Sequence, residues 1–152
     1  MTGMARVHPE PVHRTSGDTG SGVSPALAPA IEEALACAGE GLVALLLSGS
    51  HATGEAVWAS LAGGEVSLSD LDLYAVMRDA DACKTARTRA RARRASGRAN
   101  RCDALAGPLE IAFVTRDGLA AMPARPGTVD LARQGRVLHG DAGVLEIGRA
   151  HV

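Results

Sequence analysis

Apolar and polar positions along the chain change period several times, and each change predicts an element. After Ser24-Pro25, Leu27, Ile31, Leu35 and Ala38 recur at helical spacing until Gly39 and Gly41. Serine followed by proline suits a helix start and glycine a stop, so this spacing predicts an amphipathic helix opening at Ser24. Leu42-Val43-Ala44-Leu45-Leu46-Leu47 is apolar without a break and glycine-bounded. Such a short run predicts a strand buried on both faces of a sheet. His51 to Ala59 reads as one short helix, and Leu61 to Leu68, with Gly63-Gly64 inside it, as a hairpin-like excursion.

Asp70-Leu71-Asp72-Leu73-Tyr74-Ala75-Val76-Met77 then alternates into a second main strand. Asp79 to about Gly97 is rich in Ala and Arg, with acid at its start and base at its end, as a helix macrodipole favours. Leu109 to Thr115 predicts a third strand, Val129 to Gln134 a short helix after Pro123 and Pro126, and Arg136-Val137-Leu138 a last short strand. Strands alternating with helices predict an α/β chain.

Both ends depart from this pattern. Residues 1–24 are rich in Gly, Ser, Thr, Pro and His without an apolar period, which predicts a tail that does not pack. Glu146-Ile147-Gly148-Arg149-Ala150-His151-Val152 resembles the in-frame translation of a common short-read sequencing adapter, so native sequence beyond Leu145 is expected to be missing. The folded domain is expected over residues 25–145.

Composition narrows the class. A chain of 152 residues suits one domain. With 46% hydrophobic but only 2% aromatic residues, Leu, Val and Ala must fill the core. A net charge of −1 supplies no global attraction to nucleic acid or membrane. Cys37, Cys83 and Cys102 are odd in number and widely spaced, which argues against a disulfide framework or structural zinc and fits a reducing cytoplasm. The first residues lack the apolar stretch of a secretory signal, and no apolar run reaches the ~20 residues that span a bilayer.

The chemistry concentrates at the strand ends. On a strand, Asp70 and Asp72 point to one face while Leu71 and Leu73 point to the other. Two converging carboxylates repel unless a cation lies between them, and hard oxygen ligands select Mg²⁺ or Mn²⁺. Gly49-Ser50 follows a buried strand and opens a helix, a setting whose free N–H groups and hydroxyl suit phosphate oxygens. Glu110 stands near the start of a β-rich segment, where an acid is a poor choice for a buried strand. It is the candidate third carboxylate of a two-metal site.

Leu-Ser-Gly-Ser-His-Ala-Thr-Gly-Glu, Ser-Asp-Leu-Asp-Leu-Tyr-Ala-Val and Leu-Glu-Ile-Ala-Phe-Val resemble, in order, the hydrophobic-Gly-Ser, Asp-x-Asp and third-acid motifs of the DNA polymerase β nucleotidyltransferase superfamily. The resemblance spans about Leu42 to Thr115. It implies a mixed β-sheet with helices packed on it, and Mg²⁺-dependent transfer of a nucleoside monophosphate from a triphosphate, with ATP the first donor to try, to an acceptor hydroxyl. On this match Gly49 and Ser50 hold the triphosphate. Asp70 and Asp72 ligate both metals, and Glu110 ligates the catalytic metal and helps to deprotonate the acceptor. Ser50 and Asp70 are 20 positions apart, wider than in minimal members of the superfamily, with Trp58 to Leu68 as the insertion.

Rival motifs fail on particular residues. Gly49 to Gly54 has P-loop glycine spacing, but Glu55 and Ala56 replace the Lys and Ser/Thr. Tyr74 breaks the phosphatase-like D-x-D-x-T pattern, and an EF-hand loop lacks its Gly and terminal Glu. Lys84, Arg87, Arg89, Arg91, Arg93, Arg94, Arg98 and Arg101 read first as a solvated helix face and second as a contact for triphosphate or nucleic acid. His51 is expected at the surface, Tyr74 and Phe113 in the core, and Trp58 within the insertion. Two other functions stay open: a regulatory or antitoxin-like module acting through a partner protein, and a fragment lacking its acceptor-binding domain. The acceptor itself, whether small molecule, protein or nucleic acid, is not legible.

Overall fold

A computed structural model describes residues 23–97 and 102–149, the side chains of 147–149 excepted. The uninterrupted apolar run becomes β1 (Leu42–Ser48), the inner strand on which the fold is organised. Its neighbours are β4 (Leu71–Met77) on one side and β6 (Arg136–Gly140) on the other, both antiparallel to it. Beyond β4 lies β5 (Leu109–Thr115), parallel to β4, and the mixed four-stranded sheet runs β5-β4-β1-β6. Between β4 and β5 the chain crosses over through α3 (Ala80–Ala95), whose N-cap Asp79 accepts a hydrogen bond from Ala82 N at 2.8 Å.

Period-two alternation splits the core into two layers. Leu45 and Leu47 of β1, with Leu71, Leu73, Ala75 and Met77 of β4, face α1 (Ala28–Ala38) and α3. Ala44, Leu46 and Val76 point the opposite way. They pack with Leu119 of α4 (Arg116–Ala120), Leu131 of α5 (Pro126–Gln134), and Val144 and Leu145 of α6 (Val144–Arg149). Each fully buried leucine contributes roughly 1.5–3 kcal/mol through apolar burial. Among the described residues no helix is long and apolar enough to cross a membrane, and the three cysteines are buried free thiols.

Several boundaries move. Ser24 does cap the chain's entry, its hydroxyl accepting from Ala26 N at 3.3 Å, but the first turn is a tight 3-10 turn at Pro25–Leu27 that precedes α1. Leu27 and Ala38 are buried as expected, but the rest of the buried stripe is Ala30, Ala34 and Cys37 of α1, with Ile31 and Leu35 flanking it, because small residues let the helix approach the sheet closely. The helix expected over His51 to Ala59 is only α2 (Gly49–Thr53), since Gly54 turns the chain at φ +80°. Trp58 instead starts β2 (Trp58–Leu61), which pairs with β3 (Gly64–Ser67) as the predicted hairpin, one turn earlier than Leu61. The helix expected from Val129 begins at Pro126, a residue suited to a first helical turn. Short helices α4 and α6 were not legible from apolar period.

The tail expected over residues 1–24 lies outside the described residues up to 22; Val23 packs partly on the core and Ser24 caps the first turn. Of the adapter-like stretch, Glu146 continues α6, whereas residues 150–152 lie outside the described residues.

Candidate active site

The sheet's second face carries a row of polar side chains at one end. Ser48 closes β1, and its Cα partner in β4 is Asp72. Asp72 is in turn the register partner of Glu110 in β5. Three adjacent strands thus deliver Ser48, Asp72 and Glu110 side by side, because each has the parity that faces α5 rather than α1 and α3. The next row inward is Leu46, Tyr74 and Ala112, and Val76 and Val114 follow at the core end.

A cleft of about 230 Å³ opens over these rows. Ser48, Gly49, Asp72 and Glu110 form its polar floor, Tyr74 and Ala112 its inner end, and Gly127 and Asp130 of α5 line it as well. Gly49 sits at φ +69°, and a Cβ there would run into Asp72 Oδ2, so both backbone and carboxylate require glycine. Burial pushes the Asp72 carboxyl above its ordinary range, and the negative charges of Glu110 and then Asp70 push it further, together with hydrogen bonding to Glu110. Burial, and secondarily the Asp72 charge, raise the Tyr74 hydroxyl likewise.

The sequence candidates separate on this geometry. Gly49, Asp72 and Glu110 come together in the cleft. Asp70 is exposed immediately before β4 and acts on Asp72 through its charge. Ser50 is half-buried on α2, and its carbonyl accepts from Thr53 Oγ1 at 3.2 Å and Glu55 N at 2.9 Å. The cleft wall takes its hydroxyl from Ser48 instead. Among the described residues no three His, Cys, Asp or Glu side chains are gathered closely enough to hold a metal ion as they stand. The donor chemistry nevertheless fits a hard divalent cation. Asp72 and Glu110 share the cleft with Asp130, burial and then the Glu110 charge disfavour ionised Asp72, and among the described residues no Lys or Arg lines it.

Three cleft residues escaped the sequence reading. Tyr74, expected in the core, does pack on the second core layer, but it is half-buried and also lines the cleft, a place that only its continuation of the Asp70–Asp72 alternation signalled. Ser48 was overshadowed by Ser50, and Asp130 reaches the cleft only because α5 lies across the sheet.

The basic helix has a different place. α3 packs on the face opposite the cleft, so its charges do not line the candidate triphosphate site. Arg93 grips Glu33 through two hydrogen bonds of 2.6 and 2.7 Å, Arg89 donates to Cys37 O at 2.9 Å, and Arg87 donates to Phe113 O at 2.8 Å. These three tie α3 to α1 and β5, while Lys84, Arg91 and Arg94 are exposed. Arg98 and Arg101 lie outside the described residues. His51, expected at the surface, is 7% exposed and holds Ser67 Oγ at 2.9 Å.

No protein-family model matches the sequence, and no curated protein matches it. Among solved structures, the crystal structure of a toxin-antitoxin with AMP-PNP is similar over 80% of this chain and 79% of that one, at 17% identity and a TM-score of 0.39.

Proposed function

We propose that this chain is a nucleotidyltransferase domain of the polymerase β type, moving a nucleoside monophosphate from a nucleoside triphosphate to an acceptor hydroxyl. The observation that carries the reading is the register pairing of Asp72 with Glu110 beside Gly49, in a cleft that no basic side chain lines among the described residues. Gly49 lets a phosphate approach the backbone, and the hydroxyls on either side of it, Ser48 in the cleft wall and Ser50 one step into α2, bind the triphosphate. Asp72 and Glu110, with Asp70 from the segment before β4, would hold Mg²⁺ or Mn²⁺. When bound, that ion supplies the positive charge that lets carboxylates and phosphates share one cleft.

Glu110 takes the acceptor's proton as the acceptor oxygen bonds to the α-phosphorus. The bond from that phosphorus to the bridging oxygen breaks, and pyrophosphate leaves with the electron pair. α5, which brings Gly127 and Asp130 to the cleft, forms the wall against which donor or acceptor is held.

Calorimetric titration of the protein with ATP, GTP, CTP and UTP, with and without Mg²⁺, tests the reading against an Asp70→Asn/Asp72→Asn control. Mg²⁺-dependent binding that the double variant loses is the expected result. A well-folded protein that binds none of the four would overturn it.

A further inference from the structure

His51 has no part in the chemistry above, yet it is one of three buried polar side chains named among the described residues, with Ser48 and Ser67. Its imidazole reaches from α2 across to the end of the inserted hairpin. Nε2 lies 2.9 Å from Ser67 Oγ, and the ring stands edge-on to Trp58, centroids 5.7 Å apart and planes at 88°. The Ser67 hydroxyl donates onward to Ser69 O at 3.2 Å. With its one proton committed there, Ser67 Oγ accepts from His51, which fixes the imidazole as the Nε2–H tautomer. Ser69 Oγ accepts from Val57 N at 2.9 Å, closing the base of the hairpin, and the next residue is Asp70.

Two halves of the cleft meet at this imidazole. On one side, His51 follows Gly49 and Ser50 in the same five-residue helix. On the other, Ser67 to Ser69 is the lead into Asp70 and Asp72, and it is further held by Ser67 N donating to Ala104 O at 2.7 Å. The β1–β4 ladder sets Ser48 opposite Asp72, but beyond the ends of those strands the α2 turn and the lead into Asp70 are linked along the chain by a small two-stranded hairpin. A short hairpin contributes little order by itself. A buried hydrogen bond between the two segments holds their relative position, because breaking it strands polar atoms away from water.

Resting on the nucleotidyltransferase reading, we infer that His51 is a positioning residue: its Nε2–H bond to Ser67 holds the α2 turn that carries Ser50 against the lead into Asp70, extending past the strand ends the register that the β1–β4 ladder gives Ser48 and Asp72. The inserted hairpin is then part of the site's frame rather than an ornament on it.

Two substitutions separate hydrogen bond from packing. His51→Phe keeps a ring against Trp58 and loses the donor, whereas His51→Gln keeps a donor and loses the ring. Each is compared with the unaltered protein and with Asp72→Asn by calorimetric titration with the α,β-methylene analogues of the four nucleotides in Mg²⁺, well below each variant's melting temperature. Emission from Trp58, the only tryptophan in the chain, reports whether the hairpin stays seated. The expected result is an affinity loss of about tenfold in His51→Phe, the equivalent of one net hydrogen bond, and recovery of most of it in His51→Gln. A purely structural role would lower the melting temperature of His51→Phe but leave affinity per folded molecule unchanged, and that outcome overturns the proposal while Asp72-dependent binding upholds the site. Equal losses in both variants also overturn it, because the donor would then not matter. Binding by no form of the protein removes the nucleotide reading and this inference together.

Discussion

The two faces of the sheet start from the same alternation and end differently. Toward α1 and α3, the leucines of β1 and β4 meet small residues, and the layer is closed by arginines that reach back to Glu33, Cys37 and Phe113. Toward α4, α5 and α6, the apolar rows cover only one end of the sheet, and the other end carries Ser48, Asp72 and Glu110 beneath an open cleft. Among the described residues, α3 carries a run of arginines on the first side, and the cleft acids Asp72 and Glu110 lie on the second. Charge on the closed face fastens helices together. On the open face Arg116 and Asp141 fasten α4 to the segment after β6 at 2.6 Å, whereas Asp72 and Glu110 share the cleft, and burial, then the Glu110 charge, raises the Asp72 carboxyl.

Replacing an acid on the open face should break this contrast most sharply. Asp72→Asn is expected to reduce Mg²⁺-dependent nucleotide binding to background while leaving the melting temperature unchanged or higher, because the change removes a carboxylate that burial, Glu110 and Asp70 all disfavour. Transfer activity surviving in that variant would sink the site assignment. On the closed face, Leu47→Ala should cost about 2–5 kcal/mol in urea unfolding through the cavity it leaves, with nucleotide affinity of the folded fraction unaltered. A cost below about 1 kcal/mol would mean that the layer re-collapses around the gap.

The arginine fastenings should rank next. Arg93→Met is expected to lower the melting temperature by a few degrees, more than Arg91→Met, since Arg93 is clamped to Glu33 and Arg91 is exposed. Equal shifts would return α3 to the status of a merely solvated basic helix. The smallest effect is in pH. Burial holds the His51 imidazole below its ordinary value of 6.5, with partial opposition from the Ser69 backbone. Its contribution to stability is therefore complete above that value and lost as pH falls through the folded-state value, with a slope of at most one proton. Chemical denaturation across this window should show the slope diminished in His51→Phe; an identical slope would place the proton uptake elsewhere.

Legibility followed the range of the forces involved. The strands, the acidic start of α3 and the hairpin could be read because alternation, the helix dipole and turn chemistry act over a few residues. Gly49, Asp72 and Glu110 were legible as a glycine and two acids at strand ends, and the structure places them together, although Glu110, expected in a buried strand, lies exposed on the edge strand β5. Asp70 shared their motif but falls just outside β4. His51 was misassigned because a histidine beside a turn carries no local sign of a partner 16 residues away. Helices α4 and α6 are too short to show a period, and their apolar residues acquire meaning only against β1 and β4.

The sequence by itself determined the order of the strands and longer helices, the doubly apolar central strand and the parity that sends Asp72 to the opposite face from Leu71 and Leu73. Tertiary structure alone decided which neighbours those residues meet. It set Ser48, Asp72 and Glu110 in one row, laid α5 with Asp130 across them, put the basic helix on the far face, and closed His51 over Ser67. Side-chain parity is fixed by covalent geometry at each position, whereas strand order and helix placement depend on contacts between segments tens of residues apart, which no local pattern encodes.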